Sequence, residues 1–432
     1  MKRRKLLRPH PLIVPLVRAI VLRFLKRRYR LEAIGAERMK GLKPPFIVVA
    51  NHVNFWDPFW INAFISASIQ FVASDNLFRT TLLGLAMRLL GSIPKTKLMN
   101  DAQTIGHIFR ILEAGGVVGI FPEGTRTYDG RSEPVQFAVA RLIRKLKLPV
   151  ISARIRGGYL ARPRWARGVR RGPVTLRYRL LFAGQEYASL GVDDVYQRLS
   201  QEIRFDEMDG QRVRRTPFLT RRPAEYLERL LFVCPRCRSV ATLVSRVRRF
   251  RCRECGYAVG VDDTGFLVRD TGPLVFEDPA DWNAWQLPVF RGILGARSAA
   301  GEHALEENNA FILRGYRFRR LSRLTQGRLR LFHDRLEAQG RDGRPITFPL
   351  SLVRGANVQN GEKLEFYCEG ILYRADFPNP RSSSFMWLKA IDLLQGGLHS
   401  GHQEAASLQG APPGTRAPGR VSRWRSSSPA AG

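Results

Sequence analysis

The chain has few acidic residues, few cysteines and no long uninterrupted apolar run. Its 37 Asp and Glu stand against 71 Lys and Arg, which gives a net charge of +34 over 432 residues. Such a surface is expected to attract polyanions, namely nucleic acid, anionic lipid headgroups or an acidic protein. Charge alone does not choose among these three partners.

The most apolar N-terminal stretch, Pro11 to Leu25, fits neither a secretory signal nor a spanning helix. Arg18 and Arg23 interrupt it, basic residues 26–28 follow it, and it falls short of the roughly 20 apolar residues that crossing a bilayer needs. On a helix its apolar residues share one side: Ile13, Leu16, Val17, Ile20, Val21 and Phe24. This pattern predicts a helix lying in the membrane interface, with packing on the protein's own core as the alternative.

Four of the five cysteines form two Cys-x2-Cys pairs with 14 residues between them: Cys234, Cys237, Cys252 and Cys255. This spacing favours a metal site in a reducing compartment over a disulfide framework. The pattern is typical of a zinc ribbon, in which four thiolates hold a structural Zn²⁺ and leave no position open for chemistry. Unmetallated thiols are the alternative, and Cys368 is assigned no role.

The length predicts two or three domains. Between Phe46 and Gly184 short apolar runs alternate with helical stretches, which predicts an α/β domain with a largely parallel sheet. The expected strands are Phe46 to Ala50, Gln70 to Ala73, Val117 to Phe121, Pro149 to Ile155 and Val174 to Phe182. The expected helices are Pro58 to Ser68, Thr81 to Leu90, Asp101 to Glu113, Val135 to Leu146 and a closing helix from Asp193 to Phe205.

The C-terminal part reads as antiparallel strands followed by a helix near Phe385 to Leu394, with turn signals at Asp342-Gly343 and Asn360-Gly361. It weakly resembles pleckstrin-homology or GRAM-type domains, and no ligand is inferred from that. The expected organisation is a basic membrane-associating region (1–42), an α/β domain (43–205), a linker (206–230), the zinc ribbon (231–262), the β-rich domain (263–395) and a disordered tail (396–432).

Two segments place reactive groups where buried strands end. Asn51-His52, with Asp57 shortly after, follows the first strand, and Phe121-Pro122-Glu123-Gly124-Thr125-Arg126 follows the third. Because ligands bind at the carboxyl ends of strands in α/β sheets, a base on one loop and an anion clamp on the other can build one site.

These segments resemble the motifs of the glycerophospholipid acyltransferase family, over about residues 43–199. The resemblance implies that His52 is a general base oriented by Asp57, and that the acceptor's own hydroxyl is the nucleophile. It also implies that Glu123, Gly124, Thr125 and Arg126 bind the acceptor phosphate, aided by a basic turn with Lys95 and Lys97. Glu123 is expected either to order Arg126 or to hold glycerol hydroxyls.

Each motif has a plainer interpretation, and the resemblance is incomplete. Asp57 precedes Pro58 and can be a helix cap only, and Lys95 can belong to a solvated turn. Ala153 stands where the family has a second proline, and Val135-Gln136-Phe137-Ala138 replaces a basic-Gly turn. These departures bear on the choice of acceptor or acyl chain more than on the reaction.

The leading hypothesis is a peripheral O-acyltransferase at the cytoplasmic face of the cell membrane. It would transfer a fatty acyl group from acyl-CoA or acyl carrier protein to 1-acylglycerol 3-phosphate on anionic phospholipid membranes, without a catalytic cofactor. Glycerol 3-phosphate or another lysolipid are alternative acceptors. Hypotheses of a different class are a non-catalytic lipid-binding scaffold and a nucleic-acid-binding zinc-ribbon protein, although nucleic acid leaves the His52 and Arg126 segments unexplained.

Overall fold

The computed structural model describes residues 9–39, 41–95, 102–316, 319–340 and 344–407, without the side chains of 397–407. Lys97 and the predicted turn at Asp342-Gly343 lie outside the described residues.

The N-terminal half contains a seven-stranded sheet with helices on both faces. Its elements are α1 (Ile13–Arg28), β1 (Arg30–Ile34), β2 (Phe46–Val49), α2 (Asp57–Asn62), β3 (Ile69–Ser74), α3 (Thr81–Leu89), β4 (Ile93–Lys95), α4 (Ala102–Glu113), β5 (Val117–Ile120), α5 (Phe137–Leu146), β6 (Val150–Arg156), α6 (Gly158–Ala161), β7 (Pro173–Phe182), α7 (Val192–Ile203) and α8 (Glu207–Arg214). The strand order is β1-β7-β6-β2-β5-β3-β4, and every neighbouring pair is parallel except β6 and β7. The predicted, largely parallel α/β sheet is confirmed.

Strand β2 is apolar throughout because both of its faces are covered. Val48 belongs to one hydrophobic cluster, while Ile47 and Val49 belong to the cluster on the other side of the sheet. Continuous apolar runs are typical of parallel strands buried on both faces. Each such side chain adds about 1.5–3 kcal/mol on burial, so β2 is a stable base for the loop that follows it.

Two strands of this sheet were not predicted. Strand β1 carries Arg30 and Glu32 and is partly exposed along its length, so its apolar content is too low to mark it as a strand. It pairs in parallel with β7 at the edge of the sheet. Strand β4 has only three residues, including Pro94, and pairs with β3 at the opposite edge. Short edge strands carry a weak sequence signal.

The expected linker, 206–230, is built into the fold. Asp206 accepts hydrogen bonds from the amides of Met208 and Asp209 and so caps α8. Further along, Phe218 packs into the core beside the first sheet, and Leu227 and Leu230 are fully buried in the C-terminal core. Because the segment is rich in arginine, these few apolar residues were not enough to predict from the sequence that it packs into the fold.

The C-terminal half contains two antiparallel sheets. The first has β8 (Leu243–Arg246), β9 (Arg249–Cys252), β10 (Ala258–Val261) and β11 (Leu267–Thr271), and the helix α9 (Pro279–Ala299) follows. The second has β12 (Leu305–Gly315), β13 (Ser322–Leu331), β14 (Arg335–Gly340), β15 (Pro345–Pro349), β16 (Val353–Gln359), β17 (Lys363–Cys368) and β18 (Ile371–Asp376), closed by α10 (Ser384–Ser407). Its strand order is β15-β14-β13-β12-β18-β17-β16. The predicted antiparallel domain with a C-terminal helix is confirmed.

The boundaries expected in this half need two corrections. Helix α10 continues to Ser407, so the expected disordered tail begins inside a helix, and 408–432 lie outside the described residues. The ribbon and the β-rich domain also share one hydrophobic core, to which Phe250, Trp282, Leu336 and Trp387 all contribute. The two expected domains are therefore one packed unit.

Candidate active site

The two predicted motifs leave neighbouring strands at the same edge of the sheet. Val49 and Ile120, the last residues of β2 and β5, are paired in register. Asn51, two residues after the end of β2, accepts a hydrogen bond from the N–H of Ile155 at 2.8 Å and donates one to its C=O at 3.0 Å through its side-chain amide. This bond pair fixes the start of the His52 loop against β6.

His52 and Asp57 form a hydrogen-bonded pair. The His52 Nδ1 to Asp57 Oδ2 distance is 2.8 Å, with His52 partly exposed and Asp57 fully buried. The same Oδ2 accepts the amides of Val53 and Asn54 at 2.8 and 2.9 Å. An imidazole whose Nδ1–H donates to a carboxylate presents the basic Nε2 on its other side.

Asp57 is not a helix cap. Helix α2 has Trp56 at its N-cap position with no side-chain cap, and the Asp57 carboxylate bonds amides that precede the helix. Burial raises the pKa of Asp57, while the Asn54 and Val53 amides and the charge of Arg126 act in the opposite direction. Three donors converge on Oδ2, so this oxygen must be the acceptor for the imidazole.

The His52 ring also stacks on an aromatic side chain from the second motif. The centroids of His52 and Phe121 are 4.0 Å apart with an interplanar angle of 14°. Phe121 in turn stacks on Phe71 of β3 at 5.5 Å. The imidazole is thereby held between a carboxylate and a ring, which limits its rotation.

Arg126 is half-buried beside this pair. Within the described residues its guanidinium has no hydrogen-bond or ion-pair partner, although Asp57 lies close enough to act on its charge. Burial, and next the charge of Arg164, lower the pKa of Arg126 to about 10, so it stays cationic at neutral pH. A partly desolvated, unpaired guanidinium is suited to bind a phosphate through two parallel hydrogen bonds.

Glu123 lies beneath the site and not on its surface. Oε1 accepts the His52 amide and Oε2 accepts the Glu133 amide, each at 2.7 Å, and the residue is 5% exposed. Burial raises its pKa to about 8 against the effect of those two amides. The expectation that Glu123 orders Arg126 or holds glycerol hydroxyls does not match these contacts, which instead join the His52 loop to the loop before α5.

Gly124 is required by the turn between Glu123 and Arg126. Its φ is +72°, and a Cβ built there would lie 1.9 Å from the side-chain nitrogen of Gln136. The glycine therefore allows the backbone to approach Gln136 closely while Thr125 and Arg126 turn toward the cavity.

One cavity of about 1110 Å³ brings most of the predicted residues together. Its polar lining includes His52, Gly124, Thr125, Arg126 and Lys95. This volume exceeds the ~300–1,000 Å³ that is typical of small-molecule sites. Asp57 and Glu123 are buried and do not line the cavity.

Much of the remaining lining is apolar, and part of it comes from α1. Val14, Val17 and Val21 line it from α1, opposite Phe71 and Ile108. Leu16, Ile20 and Phe24 of the predicted apolar stripe are instead exposed. Helix α1 thus presents one set of apolar residues to the cavity and another to its surroundings. Along the part of the chain that the structure describes, no helix has the length and apolarity needed to cross a membrane.

Several residues at this site were not singled out from the sequence. The bonds of Asn51 to Ile155 and the close approach of Gln136 to Gly124 depend on tertiary contacts that the sequence motifs do not show. Gln359 and Asn360 come from the distant β16 and the turn after it, and the turn signal at Asn360-Gly361 does not show that this turn reaches the cavity. Arg164 bonds the backbone carbonyls of Arg126 and Val358. Only the tertiary fold places them here.

The four ribbon cysteines converge as predicted. Their sulfurs all lie within 4.8 Å of one another, and the closest pairs, Cys234 with Cys255 and Cys237 with Cys252, are 3.6 and 3.7 Å apart. Tetrahedral Zn–S bonds of about 2.3 Å place sulfurs roughly 3.8 Å apart, so the group fits this metal. The arrangement can hold a metal ion.

The Acyltransferase family profile matches residues 23–156. The 1-acyl-sn-glycerol-3-phosphate acyltransferase BAT2, chloroplastic, of Brassica napus is 25% identical over 143 residues, which are 33% of this chain and 41% of that protein. The 1-acyl-sn-glycerol-3-phosphate acyltransferase LPAT1, chloroplastic, of Arabidopsis thaliana is 29% identical over 105 residues, 24% of this chain and 29% of that protein. The chain therefore spans less than half the length of these two relatives.

A solved structure with similarity to the chain is that of the 1-acyl-sn-glycerophosphate (LPA) acyltransferase PlsC from Thermotoga maritima. It has a TM-score of 0.36 and 23% identity, and covers 44% of this chain and 81% of that one. Both motifs of the cavity lie inside the segment matched by the family profile. Residues 23–156 therefore belong to the acyltransferase family.

Proposed function

We propose that the protein transfers a fatty acyl group from a thioester donor, acyl-CoA or acyl carrier protein, to the free hydroxyl of 1-acylglycerol 3-phosphate, giving phosphatidic acid. The observation that carries the proposal is the shared cavity, in which the His52 imidazole, backed by Asp57, and the Arg126 guanidinium face one space. The relatives bearing this activity in their names support the reaction class.

The acceptor phosphate binds at Arg126, where the guanidinium has no competing partner in the described residues. Lys95 and the Gly124-Thr125 turn line the same cavity and add positive charge and polar groups. Binding the phosphate fixes the acceptor, so that its hydroxyl reaches His52 as an intramolecular neighbour.

In the chemical step, His52 Nε2 takes the proton from the acceptor hydroxyl as its oxygen attacks the thioester carbonyl. The tetrahedral intermediate then expels the thiolate, which recovers the proton from the imidazolium. Asp57 stabilises that imidazolium through the 2.8 Å hydrogen bond. The acyl group passes directly from sulfur to oxygen, without an acyl-enzyme.

The apolar part of the cavity favours a lysolipid acceptor over glycerol 3-phosphate. Side chains from α1, α4 and β3 line it, and they would cover the acyl chain that a lysolipid carries and glycerol 3-phosphate lacks. The exposed residues Leu16, Ile20 and Phe24 of α1, with basic residues at its end, support peripheral association with anionic membranes, at the cytoplasmic face of the cell membrane.

The ribbon cysteines would hold a structural Zn²⁺. Cys234 and Cys252 belong to the C-terminal core, Cys255 packs against it and Cys237 is exposed. None of the four lines the cavity. Four thiolate ligands leave the metal closed to substrate, so zinc would contribute folding energy only.

The test is a reconstituted assay with a panel of acceptors and donors on anionic vesicles. Lysophosphatidate, glycerol 3-phosphate and lysophosphatidylcholine are each paired with oleoyl-CoA and oleoyl-acyl carrier protein, and labelled product is measured. We expect the highest kcat/KM with lysophosphatidate. Acylation of glycerol 3-phosphate alone, or no product from any pair, would contradict the proposal. The same assay compares the wild type with His52→Ala. Its matched control is His303→Ala, because His303 is an exposed histidine that does not line the cavity.

A further inference from the structure

The turn between β16 and β17, in the C-terminal half of the chain, forms part of the cavity. Gln359 and Asn360 line the same space as His52 and Arg126. Gln359 is buried, whereas Asn360 is exposed at the rim in the left-handed conformation, with φ of +51°. A segment more than two hundred residues away in sequence therefore contributes polar side chains to the cavity that contains the proposed reaction centre.

One side of this turn is fixed to the segment after β3. Asn76 donates to the side-chain oxygen of Gln359 at 2.7 Å, and Gln359 donates to Asn357 at 2.7 Å. Next to these amides, Arg79 pairs with Glu365 of β17 at 2.6 Å, with both side chains almost fully buried. A buried ion pair of this kind sets the register between the two halves, because misplacement would leave a charge unpaired.

The other side is joined to the Arg126 loop through Arg164. One guanidinium nitrogen donates to the carbonyl of Arg126, the other donates to the carbonyl of Val358, and both distances are 2.7 Å. The same guanidinium lies 3.7 Å from the centre of the Tyr128 ring, and that ring stacks on Phe385 of α10 at 4.2 Å. The loop that carries Arg126 is therefore held by the C-terminal half.

These contacts tie the turn that carries Asn360 to the loop that carries Arg126. The carbonyls of Arg126 and Val358 are joined through the Arg164 guanidinium, and Asn360 follows Val358 by two residues, so the turn that carries Asn360 is tied to the Arg126 loop and lines the same cavity. A phosphate held by Arg126 would occupy a space that Asn360 also borders. An alcohol esterified to that phosphate would meet the turn.

We propose that the β16–β17 turn is the headgroup wall of the acceptor site. Asn360 donates a hydrogen bond to the phosphate, Arg164 positions the wall against Arg126, and the site selects a phosphate monoester over a lysolipid whose phosphate carries an alcohol. This inference rests on the proposed function for its ligand, while its own test measures lipid binding.

The experiment compares the full-length wild type with Asn360→Gly. Glycine adopts a φ of +51° without strain, so this change removes the amide and retains the turn. Asn309→Gly is the matched control, since Asn309 is an exposed asparagine of the same sheet with φ of +66° and does not line the cavity. Binding of 1-oleoyl lysophosphatidate and 1-oleoyl lysophosphatidylcholine in mixed micelles is measured by equilibrium dialysis.

We expect the wild type and Asn309→Gly to prefer lysophosphatidate, and Asn360→Gly to bind it about tenfold or more weakly, as for loss of a hydrogen bond to a charged group. Its preference over lysophosphatidylcholine should fall by the same factor. Arg164→Lys should also bind lysophosphatidate less tightly with kcat retained at saturation, because one ammonium cannot span both carbonyls. Thermal melting shows whether each variant is folded.

An unchanged binding ratio in folded Asn360→Gly, or equal affinity of the wild type for both lipids, would overturn the inference. If the ratios shift as expected and the wild type nevertheless forms no phosphatidic acid, the headgroup wall stands and the proposed acyltransferase function falls.

Discussion

Replacing Asp57 with asparagine tests whether this carboxylate acts on the imidazole or only holds the loop. The change keeps size and shape and removes the charge next to His52. The Asp57 Oδ2 and His52 Nδ1 atoms are 2.8 Å apart, which places the centres of charge roughly 4 Å apart when the imidazole is protonated. At an effective dielectric constant of about 20, that attraction is about 4 kcal/mol.

A loss of about 4 kcal/mol from the transition state lowers kcat by roughly 10³-fold. The assay is phosphatidic acid formation from saturating lysophosphatidate and oleoyl-CoA by wild type and Asp57→Asn. Asp278→Asn is the matched control, because Asp278 is also fully buried at the start of a helix but caps α9 and pairs with Arg212 instead of a histidine. Folded Asp57→Asn with kcat within tenfold of the wild type would refute the electrostatic role.

Three further outcomes are expected. Arg126→Gln should raise KM for lysophosphatidate by about 10- to 100-fold, the loss of a charge-assisted hydrogen bond, without lowering the unfolding temperature; a marked loss of stability would contradict an unpaired guanidinium. The free energy of unfolding of the wild type, relative to that of Glu123→Gln, should fall as the pH rises from about 5 to 8. Burial raises the pKa of Glu123 in the folded protein to about 8, so in this pH range the carboxyl group loses its proton when the protein unfolds. A difference that does not change with pH would contradict this. Chelation of metal, or Cys234→Ser, should lower the unfolding temperature of the whole C-terminal half, since Cys234 belongs to its shared core; melting of the ribbon alone would contradict it.

The sequence predicted the part of the site that comes from local chain order. His52, Asp57 and the segment from Phe121 to Arg126 follow central strands whose apolar runs are easy to recognise, and parallel strands bring their ends to one edge. The strands predicted for this region agree with the structure to within a residue or two. The convergence of His52 and Arg126 on one space follows from that topology.

What the sequence could not supply depends on contacts between distant segments. Glu123 was assigned to the substrate by resemblance, yet its buried carboxylate binds two backbone amides. Asn360 belongs to a turn of another sheet. Arg164 links that turn to the Arg126 loop by hydrogen bonds to backbone carbonyls, and such bonds cannot be predicted from a pattern of side chains. The prediction of a linker at 206–230 was wrong for a similar reason. A few apolar residues of this Arg-rich segment, such as Phe218, pack into the core and hold the segment in the fold.

The most direct test of the account measures turnover and acceptor binding together in His52→Ala. If His52 is the base and Arg126 holds the phosphate, phosphatidic acid formation should fall by about 10³-fold while the Kd for lysophosphatidate stays within about threefold of the wild type. Turnover within tenfold of the wild type, or loss of lysophosphatidate binding in a protein that melts normally, would contradict it.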